Sequence, residues 1–194
     1  MKTKLKTLAS LLFLATVIVS CSKDDDKPKS FPTEDFMDDY ITDSGFSQAT
    51  TNFIDSGTYE FGLEFTPLVK GKITKLKVKL PATNPTLRIT IWDLTTTTVF
   101  RTEMVNVATA DTETIIDITD LELVKDKKYA ITMNSNDWYK RSKTDNTAAT
   151  YPITSGNIRI DGYKWSSGSA QTYPINVSAN YYAGDVRFDF QQIE

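Results

Sequence analysis

The sequence of 194 residues contains no histidine and a single cysteine, and its 25 acidic residues outnumber its 22 Lys and Arg residues. Without histidine there is no Ser-His-Asp or Cys-His catalytic set, no imidazole-bound zinc and no imidazole to switch charge near neutral pH. One cysteine excludes an intrachain disulfide and a cysteine-ligated metal cluster. A net charge of −3 and a pI near 5.1 leave no basic stripe to release counterions from a phosphate backbone, so nucleic acid is not an expected partner. The apolar run from Leu8 to Val19 falls short of the ~20 residues that a membrane-spanning helix requires. What remains is ordinary for a globular protein. A hydrophobic share of 40% and a charged share of 24% are enough to form a core, and the length suits one domain with a tail.

Lys2, Lys4 and Lys6 precede the apolar run, and Ser20 and Cys21 follow it. A positive stretch, a short apolar stretch and a small residue are the parts of a signal peptide, here residues 1–20. Ile18-Val19-Ser20-Cys21 resembles a bacterial lipobox, with Val19 where Ala or Ser is more usual. The resemblance implies cleavage before Cys21, attachment of a diacylglycerol to its sulfur and acylation of the new amino group. Two signals hold a protein stably where one acyl chain is marginal, so the lone thiol is read as a membrane anchor.

Ser22, Lys23, Asp24, Asp25 and Asp26 run on into Lys27, Pro28 and Lys29, a charged stretch that cannot bury enough apolar area to fold. Directly against the cysteine, this run resembles the export signal by which some Gram-negative lineages carry lipoproteins to the outside of the outer membrane. The expected location is therefore the outer membrane, lipid-anchored and facing the exterior. Removal of the leader takes three lysines with it and leaves a more acidic chain.

Residues 21–45 are read as the lipidated cysteine and an acidic tether. Within it Phe36, Met37, Tyr40 and Ile41 recur at a spacing that suits a short helix, and Glu34, Asp35, Asp38 and Asp39 are read as facing water rather than holding a cation. Past Gly45 the period changes to two. Tyr59, Phe61, Leu63 and Phe65 alternate with Glu60 and Glu64, and Leu76, Val78 and Leu80 alternate with lysines. Ile73 is out of phase, which predicts a bulge or a strand entry. Residues 87–91, 114–118, 129–133, 157–160 and 185–190 also read as strands, and the threonines at 95–98 as a hairpin connection. Short strands at this spacing, with no long helical period between them, predict an all-β antiparallel sandwich over residues 46–194.

The order of these pieces carries a resemblance. Residues 60–65, 71–76 and 87–93, then Leu121 to Ile131, then Thr172-Tyr173-Pro174 and residues 180–188, are similar to a jelly-roll domain-of-unknown-function family of bacterial secreted proteins. It would cover residues 57–190, with the threonine turn departing from the usual glycine-containing hairpin. The resemblance implies a jelly-roll-like sandwich found on carbohydrate-active or adhesive surface proteins, and it transfers no catalytic residue.

Eight of the twelve Tyr and Trp residues lie after residue 137, amid polar loop formers. Sugar rings present apolar C–H faces flanked by hydroxyls, and a flat aromatic beside polar groups suits them. Trp138, Tyr139, Tyr163, Trp165, Tyr173 and Tyr181 are the candidate ligand-binding residues, against the plain alternative that such rings cap a core with their polar tips wet. Acidic residues are too numerous for composition to single out a catalytic pair, and no motif marks a nucleophile. Oxygen ligands between Asp137 and Asp145 lack the spacing of a calcium loop, so no metal and no cofactor is expected. Two readings follow: a non-catalytic surface lipoprotein that binds glycan, or a structural or adhesive module that binds another envelope protein through exposed strand edges.

Overall fold

The computed structural model describes residues 30–194. The signal segment, Cys21 and the export run at 22–26 lie outside the described residues. In chain order the elements are β1 (Thr33–Asp35), α1 (Met37–Asp43), β2 (Ala49–Phe53), β3 (Tyr59–Pro67), β4 (Gly71–Lys79), β5 (Asn84–Asp93) and β6 (Thr98–Val107). They continue with β7 (Glu113–Leu123), β8 (Tyr129–Ser135), β9 (Trp138–Ser142), β10 (Ile153–Ser155), β11 (Ile158–Ser167), β12 (Asn176–Ser178), β13 (Tyr181–Ala183) and β14 (Val186–Gln192).

The fold is an all-β antiparallel sandwich. A small sheet runs β1-β14-β4-β7, and a large one runs β10-β11-β3-β8-β5-β6 with β12 beside β11. The chain crosses between them, with β3 in the large, β4 in the small, β5 and β6 in the large, β7 in the small and β8 in the large. Leu76, Val78, Phe188 and Phe190 face Leu63, Phe65, Ile89, Ile91, Ile131 and Met133 across the core, and the rings of Phe65 and Phe188 meet at 4.7 Å. Burying each such side chain is worth ~1.5–3 kcal/mol. That fixes the register of β4, because a slip by one residue would turn Lys75, Lys77 and Lys79 inward. In the native register Lys72 and Lys75 pair across the outer face with Asp120 (2.6 Å) and Asp117 (3.3 Å) of β7. Ile73 reaches the core because the pairing with β7 shifts between Ile73 and Lys75, where the phase slip in the sequence predicts a bulge.

The folded body starts at β1 and takes in residues that the sequence reading assigned to the tether. Phe36, Met37 and Tyr40 are buried on one face of α1 and Phe46 lies beneath it, because these rings find the open end of the core. Asp35, Asp38 and Asp39 are exposed, as expected, and Glu34 is half-buried, but three of the four also accept hydrogen bonds from the folded body. Glu34 accepts hydrogen bonds from the backbone and side-chain amides of Asn157 (2.8 and 2.5 Å), Asp35 from Lys77 and Arg187 (3.0 and 2.9 Å), and Asp39 from Ser155 (3.0 Å).

Part of the outer face of the large sheet is covered as well. Residues 168–175 run across it as a strap. The Asn134 side-chain amide donates to the carbonyl of Gly168, Arg88 donates to the carbonyl of Ser169, and the Gln171 amide donates to Thr90 and Thr102. Beneath the strap Glu60 is 1% exposed; it accepts from Thr132 (2.5 Å) and Arg88 (2.8 Å), and Thr132 accepts from the Trp92 indole (2.8 Å). A buried carboxylate is tolerated only when it is paired and hydrogen-bonded in this way.

Candidate functional site

A third sheet, β13-β9-β2, covers the inner face of the large sheet beyond the edge of the small one. Between this cover and strands β3 and β11 lies a cavity of about 240 Å³. Its walls follow from the two-residue period of strands, which sends alternate side chains to one face. Tyr59 and Phe61 come from β3, Tyr163 and Trp165 from β11, Trp138 and Lys140 from β9, Tyr181 and Ala183 from β13, and Phe53 from β2.

Trp138 and Tyr163 form the floor. Trp138 is 9% exposed, stacked on Phe53 (5.3 Å, 9°) and met edge-on by Tyr59 at 5.2 Å and Phe61 at 5.5 Å. Tyr163 is buried and meets Tyr181 at 5.4 Å. Trp165, Tyr59 and Tyr181 are half-buried and form the rim, with Trp165 6.1 Å from Tyr59. The backbone after β13 packs closely on Phe61. Next to Ala183, Gly184 has φ +123°, and a Cβ there would lie 2.9 Å from Phe61.

Lys140 is the one charged residue in the lining. Its ammonium lies 4.7 Å from the centre of the Tyr181 ring, a cation–π contact, and among the described residues no carboxylate pairs with it. Burial raises the phenols of Tyr163 and Tyr181 above their ordinary range, so both rings stay neutral at any physiological pH.

Four of the six candidates, Trp138, Tyr163, Trp165 and Tyr181, therefore share one hollow. The other two point elsewhere. Tyr139 follows Trp138 on β9 and so faces the opposite side, where its hydroxyl donates to Asp111 and Lys79 lies 5.6 Å from its ring; burial first and then Asp111 raise its pKa. Its neighbour Arg141 grips Asp185 through two hydrogen bonds (2.6 and 2.5 Å), tying β9 to the turn before β14. Tyr173 lies on the strap, edge-on to Trp92 at 5.7 Å, and donates to Glu64. It pins the strap on the outer face of the sheet, away from the cavity.

The sequence reading put these aromatics in loops, whereas Trp138 and Tyr139 are on β9 and Tyr163 and Trp165 are on β11. The polar residues at 161–167 hid the continuation of β11, which passes a register shift between Ile160 and Gly162. Phe53, Tyr59, Phe61, Lys140 and Ala183 were not among the candidates. Tyr59 and Phe61 carried the signal of a core strand face, and Lys140 only that of a polar neighbour. A hollow of about 320 Å³ near Asp55, Thr83, Asn84 and Asn136 is larger, but Ile54 is its one large apolar side chain. Among the described residues no group of three acidic side chains is placed to hold a metal ion. The chain matches no protein-family model, no curated protein and no solved structure.

Proposed function

We propose that the protein is a lipoprotein anchored in the outer membrane through Cys21, displayed on the cell exterior, and that its sandwich binds glycan in the aromatic cavity without catalysing a reaction. The observation that carries this reading is the convergence of Tyr59, Trp138, Tyr163, Trp165 and Tyr181 from four strands on one partly open hollow. An apolar, ring-lined concavity with few polar groups receives a ligand that has flat apolar faces. A pyranose has such faces, and its hydroxyls reach water through the mouth beside Tyr59, Trp165 and Tyr181. The volume lies below the ~300 Å³ at which pockets for drug-sized ligands begin, so the cavity takes a single ring at a chain end rather than a length of chain. The test is a glycan array with the mature domain. Retention lost in Trp165→Ala and Tyr181→Ala variants that still unfold cooperatively is the expected result, and no retention on any glycan rejects the reading. Cys21→Ala should release the protein or leave its precursor uncut, and protease should shave the domain from intact cells.

A second reading, an envelope module that pairs with another protein, is favoured by the free edges of both sheets. β6 ends the large sheet and β7 the small one, and Met104 (62%) and Ile115 (53%) on them are exposed. Such edges accept an added strand. Cross-linking on intact cells that is lost in Met104→Lys and kept in Trp165→Ala would support this mode.

A further inference from the structure

The charge in the cavity says more about the ligand than its rings do. An aromatic hollow by itself suits a neutral sugar, a quaternary ammonium or any flat apolar group. Here the hollow already holds a cation. Lys140 extends from β9 along the wall and places its ammonium 4.7 Å from the centre of the Tyr181 ring, at the half-buried side of the cavity. A ligand cation entering the same hollow would meet like charge in a space of about 240 Å³ walled mainly by rings. Cationic ligands are thereby disfavoured.

The basic residues next to the lining in sequence have carboxylate partners. Lys164, next to Trp165 on β11, faces the other side of the sheet and pairs with Glu64 (3.7 Å), and Arg141, next to Lys140 on β9, is held by Asp185. Lys140 has only the face of Tyr181. A half-buried lysine whose ammonium has a ring contact and no carboxylate retains two or three N–H groups free to donate. No acid lines the hollow to satisfy them or to repel an anion.

We infer that the cavity selects an acidic sugar at a chain end, its ring against Trp165 and Tyr181 and its carboxylate or sulfate on the Lys140 ammonium. This rests on the glycan reading above and narrows it to a ligand class. Charge-assisted hydrogen bonds are the stronger kind, and inside a ring-walled mouth the pair is less screened than at an open surface. The domain as a whole is acidic, so an anionic chain is attracted at this mouth and repelled over much of the rest of the surface. The geometry thus favours capture of a terminus.

The experiment compares methyl glucuronide with methyl glucoside, and oligogalacturonate with its methyl-esterified form, by ligand-observed NMR and Trp fluorescence of the mature domain. Expected is preferential binding of the charged member of each pair, weakened roughly tenfold or more by Lys140→Met and retained by Lys140→Arg. Added salt should weaken the acidic ligand and leave any neutral one unchanged. Equal binding of charged and neutral members, or a Lys140→Met variant with unaltered affinity and melting temperature, overturns the inference and leaves the glycan reading standing. Binding of none of the four, combined with an empty glycan array that includes sialylated and sulfated chains, overturns both.

Discussion

At the residue scale, aromatics that line the same cavity have different roles, and burial separates them. Trp138 is packed between Phe53, Tyr59 and Phe61, so Trp138→Ala should cost about 3–5 kcal/mol in a denaturant titration and abolish binding through loss of the fold. Trp165 stands at the rim, so Trp165→Ala should cost about 1 kcal/mol and remove binding from a folded protein. Equal destabilisation by the two substitutions would contradict this division. The same alternation makes Arg141 structural. Asp185 is 3% exposed and its carboxylate is held by the Arg141 guanidinium, which that carboxylate keeps above its ordinary pKa. Removing one partner leaves a buried charge uncompensated, so Arg141→Met should destabilise by about 3 kcal/mol. Adding Asp185→Asn should recover part of that loss, a double-mutant cycle with coupling well above the error of the measurement.

At the scale of elements, the strap at 168–175 is held mainly by hydrogen bonds to the face of the large sheet and by one ring contact, Tyr173 on Trp92. Tyr173→Phe removes the bond to Glu64 for about 1 kcal/mol and should leave glycan binding intact, since the strap and the cavity are on opposite faces of the sheet. Tyr173→Ala should loosen the strap and speed its cleavage in limited proteolysis, with Glu60 and Arg88 then reached by water. Much of this was legible beforehand. The alternation in β3, β4 and β5, the phase slip at Ile73, the helical spacing of Phe36, Met37, Tyr40 and Ile41 and the threonine turn each report a local rule that the fold keeps. The strap was not legible, because its glycine, serine and glutamine have no period and are placed by partners that lie far away in the chain.

At the scale of the whole molecule, the buried phenols couple stability to alkaline pH. Burial raises Tyr40, Tyr163 and Tyr182 well above 10.0 and pushes Tyr151 up to about 12. A group whose folded pKa is raised stabilises fully below its unfolded value and loses that contribution as pH climbs through the folded one. The melting temperature should therefore hold up to about pH 9 and fall between pH 10 and 12, with tyrosinate absorbance appearing together with unfolding. Tyrosinate formation ahead of unfolding would contradict the burial of these rings.

The sequence by itself determined the class of the fold and the absence of whole chemistries. Period-two alternation is a property of each strand alone, and a chain without histidine lacks imidazole in any fold. Which rings meet was decided only by tertiary structure. The cavity is assembled from pairs of residues on β3, β9, β11 and β13 that are separated by long stretches of chain, and the third sheet that closes it is built from strands too short to announce themselves. Tyr139 and Tyr173 have the composition and neighbourhood of the rings that line the hollow. Tyr139 stands outside it because side-chain direction alternates along a strand whose register is set by packing, and Tyr173 because its segment is strapped to the opposite face of the large sheet.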